Sequence, residues 1–165
     1  MKGRLLGFFL FLSLLIYQAC THTDPPETKD SSPSTIKSYS SGEKAKVDSL
    51  DSQLTPVSEI AYYFNNKMGK QQVLVKGIII RLLADDTDGD AHQRFIIRLD
   101  NGQTLLIAHN IDLAPRIPNI KTNQVVYAYG VYEYNREGGV VHWTHRDPNG
   151  RHEDGFLYYN GVQYE

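Results

Sequence analysis

Residues 72–145 alternate short β-branched and aromatic runs with turn residues, at intervals too close for long helices, and this rhythm leaves few folds open. Gln72–Leu83, His92–Leu99, Thr104–Asn110, Gln124–Tyr134 and Val140–His145 read as five strands, with a longer proline-punctuated stretch, Ile111–Asn123, between the third and fourth. That order matches the OB-fold, a small Greek-key barrel. Gly77 and Gly130 fall inside the first and fourth strands, where a strand serving two halves of a barrel must bend. Phe156–Tyr164 adds a terminal hairpin around Asn160-Gly161. Ahead of the strands, Thr55 and Pro56 open a helix whose apolar set is Val57, Ile60, Ala61, Phe64 and Met68, and Gly69 closes it. The expected class is mainly β: a small five-stranded OB-fold-like barrel with an N-terminal helix, occupying residues 55–165.

The N-terminus is of another kind. Lys2 and Arg4 precede an apolar run, Leu5–Tyr17, that is too short to span a bilayer and reads as a signal peptide over residues 1–19. It ends at Ala19-Cys20, which resembles a bacterial lipobox, although Tyr17 stands where leucine is usual. Cys20 is the chain's only cysteine. Lipidation explains both its place and its lack of a disulfide partner better than an ordinary signal peptide with an incidental thiol. Thr21, rather than aspartate, follows it and points to the outer membrane. Residues 20–54 hold Pro25, Pro26, Pro33 and many small polar residues, the composition of a disordered tether. The expected location is thus the bacterial cell envelope, as an outer-membrane lipoprotein facing the periplasm or the cell surface, with the lipid anchor as its membrane partner.

Charge excludes one class of function. The net charge is −2, and residues 56–165 carry eleven Lys and Arg against thirteen Asp and Glu, too even for bulk attraction to nucleic acid or acidic lipid. A specific surface is still available. Asn101-Gly102 reads as a two-residue type I′ turn that sets Asp100 opposite Gln103, and hence Arg98 opposite Leu105, Ile96 opposite Ile107 and Arg94 opposite His109. On this register Phe95, Ile97, Leu99, Leu106 and Ala108 face the core, while His92, Arg94, Ile96, Arg98, Leu105, Ile107 and His109 face outward. Arg94, Ile96, Arg98, Ile107 and His109 are the candidate ligand-binding residues, unless the helix or the terminal hairpin covers their apolar strip.

His92, His109, His142, His145 and His152, with Asp112 and Asp147, form the other candidate set, with His109, His142, His145 and His152 as the metal ligands and a divalent transition metal as the implied cofactor. Spacing argues against it. His142 and His145 are three apart on a strand and fall on opposite faces unless a bulge or the strand end intervenes. Hydrogen-bonded structural histidines are the competing reading. The acidic run Asp85–Asp90 lacks the glutamate and the following helix of an EF-hand and reads as a solvated turn. No serine or cysteine nucleophile stands in a catalytic pattern.

The blocks His92-Gln93-Arg94-Phe95, His109-Asn110-Ile111-Asp112-Leu113-Ala114-Pro115-Arg116, Gly138 to His145 and Asp147-Pro148 together resemble the bacterial domain-of-unknown-function family 3465. The likeness covers most of residues 72–165, with Phe156 in place of an expected tryptophan. The family is uncharacterised, so the resemblance implies domain extent rather than chemistry. Function then reads as an envelope-tethered, non-enzymatic OB-like binding module. Its partner would be a small ligand, an oligosaccharide or an envelope protein, with nucleic acid less favoured. The alternative is a metal-dependent hydrolase, nuclease-like in form, that uses the histidine and aspartate cluster.

Overall fold

The computed structural model describes residues 40–165, so the expected signal peptide, Cys20 and most of the expected tether lie outside the described residues. The first element departs from expectation. Residues Ser41–Asp51, assigned above to the tether, form helix α1. Ser40 accepts the Glu43 N–H at 3.3 Å, with the serine-to-glutamate spacing of a capping box. Lys44 pairs with Asp48 one turn on, at 2.8 Å. Composition alone predicted disorder because the segment has one large buried side chain, Leu50. That leucine docks on Leu74, Tyr127 and Tyr158, and Asp51 ties the helix end down by accepting from Lys76 at 2.9 Å and from the Tyr127 hydroxyl at 2.9 Å.

Helix α2, Val57–Asn65, is the expected one with a different start. Thr55 does not cap it. Its N–H donates to the Leu74 carbonyl at 2.9 Å and its hydroxyl accepts the Leu74 N–H at 3.1 Å, so it extends the sheet instead. Ile60 and Tyr63 of α2 are buried in the main core with Val75, Ile97 and Leu105.

Seven strands follow: β1 Gln71–Leu82, β2 His92–Arg98, β3 Thr104–Asn110, β4 Val125–Glu133, β5 Val140–His142, β6 Phe156–Tyr159 and β7 Val162–Tyr164. The first five close a barrel in the order β1-β2-β3-β5-β4, with β4 returning to β1 and β3 parallel to β5. This is the OB arrangement, and the β6–β7 hairpin extends it from β4. Strand β1 pairs with β4 over Gln71–Ile78 and with β2 from Ile78 onward. Gly77 sits at that change of partner, where a Cβ would stand 2.9 Å from the Arg98 carbonyl oxygen. Ile117, from the β3–β4 connection, fills the interior, and the buried Gln93 side chain brackets its backbone, donating to the Ile117 carbonyl at 3.0 Å and accepting its N–H at 2.9 Å.

The β2–β3 register differs from the expected one by a residue. Arg98 faces Thr104, Ile97 faces Leu105, Ile96 faces Leu106 and Arg94 faces Ala108. The Leu99 N–H donates to the Gln103 carbonyl at 2.9 Å, so the loop holds three residues, Asp100 to Gly102. Gly102 has φ +84° and Asn101 is not among the positive-φ residues, so this is the three-residue hairpin with a glycine bulge and not a type I′ turn. A one-residue slip reverses every side chain of β3. Leu105, Ile107 and His109 therefore face the core, fully buried, while Leu106 and Ala108 take the outer side.

Candidate ligand-binding site at the Trp143 corner

The expected binding face does not hold together. Ile107 and His109 belong to the interior, which leaves Arg94, Ile96 and Arg98 outside. Arg94 is engaged, donating to the Ala84 carbonyl at 3.1 Å and pairing with Asp86 at 3.1 Å. The acidic run is likewise committed to its neighbours, with Asp85 paired to Arg116 and Asp86 to Arg94.

His109 is a structural residue. Its Nε2 lies 3.2 Å from the Pro115 carbonyl oxygen, which can only accept, so Nε2 carries the proton and Nδ1 accepts from the Thr144 hydroxyl at 2.8 Å. Burial pushes its pKa down to about 4, and the nearby His145 and His92 act in the same direction. The neutral ring thus ties β3, the turn before Ile117 and the segment after β5 together.

That last segment is the unusual one. Strand β5 ends at His142, and the next residue, Trp143, has φ +53°, a left-handed conformation uncommon for a bulky side chain. The turn is pressed against two glycines. A Cβ on Gly130 would stand 2.3 Å from the His142 carbonyl oxygen, and one on Gly155 would stand 2.0 Å from that of Trp143. Thr144, fully buried, anchors the turn through its bond to His109. Between these supports Trp143 is 41% exposed. His142 lies against the indole at 4.9 Å between ring centroids, and His152 stacks on it at 4.6 Å and 13°. His145 meets His152 edge-on at 5.0 Å.

Residues 50–165 match the model of a family described as protein of unknown function, DUF3465. The chain belongs to this family. No curated protein matches it. The matched span of this DUF3465 domain opens on Leu50, the residue by which α1 docks on the sheet, and contains the whole barrel together with the Trp143 corner.

The corner of the DUF3465 domain gathers the histidines without making them a chelate. His145 and His152 meet in the segments that follow the end of β5 at His142. Yet among the described residues no group of three or more His, Cys, Asp or Glu is placed to hold a metal ion. Of the expected ligand set of His109, His142, His145 and His152, His109 spends both nitrogens inside the barrel, and Asp147 beside the others spends its carboxylate on backbone. It accepts N–H bonds from Asn149 and His152, each at 2.8 Å, and from Arg151. Although burial works against its charged form, these bonds hold the Asp147 carboxyl below its ordinary range and fix the loop that carries His152. Burial also pushes the His142 imidazole down, against the pull of Glu133 and with the repulsion of His92, His152 and His145. Its Nε2 is buried without a hydrogen-bond partner.

Sequence reasoning put these histidines on the page but missed the tryptophan between them. The signal was there: Gly130 in the fourth strand and Gly155 after the fifth mark close backbone packing around His142–Thr144.

Proposed function

We propose that this protein is an envelope-tethered lipoprotein whose barrel is a non-enzymatic ligand-binding module, with the Trp143 corner as its binding centre. The tether rests on Lys2, Arg4, the Leu5–Tyr17 run and the single Cys20. The single observation that supports the binding reading is the conformation of Trp143. A left-handed backbone costs a bulky residue about 1–2 kcal/mol, and such strain persists where the surroundings over-determine it and clusters at functional sites. Here it holds a large aromatic side chain 41% exposed instead of buried, on a turn fixed by Gly130, Gly155 and Thr144.

Substitution separates this from a structural role. Asparagine tolerates the left-handed region, so Trp143→Asn relieves the strain while removing the ring contacts, and its unfolding free energy should stay within about 1 kcal/mol of the native value. A core tryptophan would cost about 3–5 kcal/mol. Urea denaturation followed by far-UV circular dichroism decides the question, and a loss of the larger size would sink the binding reading.

A further inference from the structure

We infer that the outward face of β1, β2 and β3 is a docking surface for an acidic amphipathic peptide of a partner protein, held by Arg81, Arg98 and the aliphatic side chains around them. This surface does not use the Trp143 corner. Regular alternation along β1 would turn Arg81 into the core after the outward Ile78, but the register slips between Ile79 and Arg81. The bulge sets Arg81 opposite Ile96, whose neighbours Phe95 and Ile97 are fully buried, so Arg81 and Ile96 share the outer side. Bulges re-aim side chains in this way, and here the result is a second exposed guanidinium diagonally across the strands from Arg98, a spacing of about 7–8 Å. Among the described residues neither arginine makes an ion pair, and Asp100, exposed in the neighbouring loop, pairs with neither. Arg94, on the other side of Ile96, already has Asp86. The two unmatched cations repel one another, and an acid brought from outside relieves that repulsion.

The surroundings of these arginines are aliphatic. Ile78 is 39% exposed and faces Val125, which is 43% exposed; Ile96 faces Leu106, and Leu106 faces Val140. The strip crosses four strand spacings, about 19 Å, which suits a chain segment and not a single small anion. The barrel already shows how it holds such a segment. On the adjoining part of the outer surface α1 rests Leu50 on Leu74 and Tyr127, and its Asp51 accepts from Lys76, the cation two residues before Ile78. The uncovered part repeats this combination of cation and aliphatic side chain without a helix on it. No Phe, Tyr or Trp stands on the outward side of β2 or β3, so the strip offers no platform for stacked bases. A protein segment meets both features, since arginine is enriched at protein interfaces and an acid opposite it fixes register.

The full chain is titrated into a fluorescein-labelled synthetic peptide of leucine and glutamate at helical spacing, with anisotropy as the readout. In parallel it is offered poly-L-glutamate, octathymidylate and phosphatidylglycerol vesicles. The expected result is saturable binding of the leucine–glutamate peptide that weakens as salt is raised. Its affinity should fall about tenfold or more in the double variant Arg81→Glu/Arg98→Glu, whose fold is checked by circular dichroism. The milder Arg81→Gln/Arg98→Gln should lose affinity in the same direction and serves if the reversed charges disturb folding. Absence of saturable peptide binding overturns the proposal. Equal affinity for poly-L-glutamate or octathymidylate reduces the surface to a general anion attractor and overturns the peptide assignment, as does binding to the vesicles in place of the peptide. Undiminished peptide affinity in a folded double variant overturns the site.

Discussion

Lowering the pH from 7 to 4 should destabilise this barrel by about 3 kcal/mol through His109 alone. The ring is neutral and fully buried, both nitrogens are used, and its pKa falls to about 4 from an ordinary value of 6.5. Between those two values the unfolded chain binds a proton at this position and the folded chain does not. Stability from the buried neutral ring is therefore complete above pH 6.5, falls as the pH drops, and levels off below the folded value. The interval of about 2.5 units, at 1.36 kcal/mol each, gives the stated size to order of magnitude. For a domain whose total stability is about 5–15 kcal/mol this is a large share. His142 is shifted in the same direction and adds to the slope, whereas Asp147, held below its ordinary range, loses its contribution at lower pH. Urea unfolding at half-unit steps, on the native chain and on His109→Gln, isolates the effect. The variant should lose about 1–3 kcal/mol at pH 7 because Thr144 and Pro115 forfeit a partner. It should then show a pH slope shallower than the native one. Equal slopes in the two chains, or a His109 ring that titrates near 6.5 by NMR, would refute the reasoning.

Two further outcomes concern the N-terminal half. Cys20→Ser should abolish lipidation and shift the protein out of the membrane fraction, or leave its precursor uncleaved; normal processing and retention on fractionation would remove the anchor. Limited proteolysis with a nonspecific protease should cut residues 21–39 quickly and stop at α1, whose Leu50 and Asp51 are docked on the sheet. Rapid cleavage between Lys44 and Asp48 would mean that the helix is not held there.

The reading of α1 marks one limit of composition as a guide. Disorder was inferred for residues 20–54 from scarce apolar side chains. For 41–51 the capping box Ser40 to Glu43, the Lys44–Asp48 pair and one docked leucine suffice, because the sheet supplies the apolar surface that the helix lacks. Local signals such as these, with an exposed pair like Lys44–Asp48 worth only about 0.2–0.5 kcal/mol, are legible only once a neighbouring face is known. The barrel strands were more legible because period-two alternation extends over whole segments, and the bending glycines Gly77 and Gly130 stand where two partners meet.

The two Asn-Gly turns show why the site was displaced. Asn160 and Gly161 have φ of +54° and +87°, and Tyr159 pairs with Val162 across them, the type I′ hairpin that the dipeptide favours. Asn101-Gly102 has the same dipeptide and adopts the longer loop. The difference lies in what the strands must bury. A two-residue turn at Asn101-Gly102 would send Leu106 and Ala108 inward and leave Leu105, Ile107 and His109 outside. The longer loop buries Leu105 and Ile107 completely. Exchanging alanine for isoleucine in the core is worth about 2 kcal/mol at roughly 0.8 kcal/mol for each added carbon. That exceeds the difference between two permitted turns, which Asn101 narrows further by accepting the Gln103 N–H on its own side chain at 3.0 Å. Turn chemistry at the β2–β3 corner therefore yields to burial, and with it the outward placement of His109 fails. Once His109 is inside, its hydroxyl partner Thr144 must follow. The short β5 ends at His142, and the break at Trp143 carries Thr144 inward to His109 while the indole stays 41% exposed.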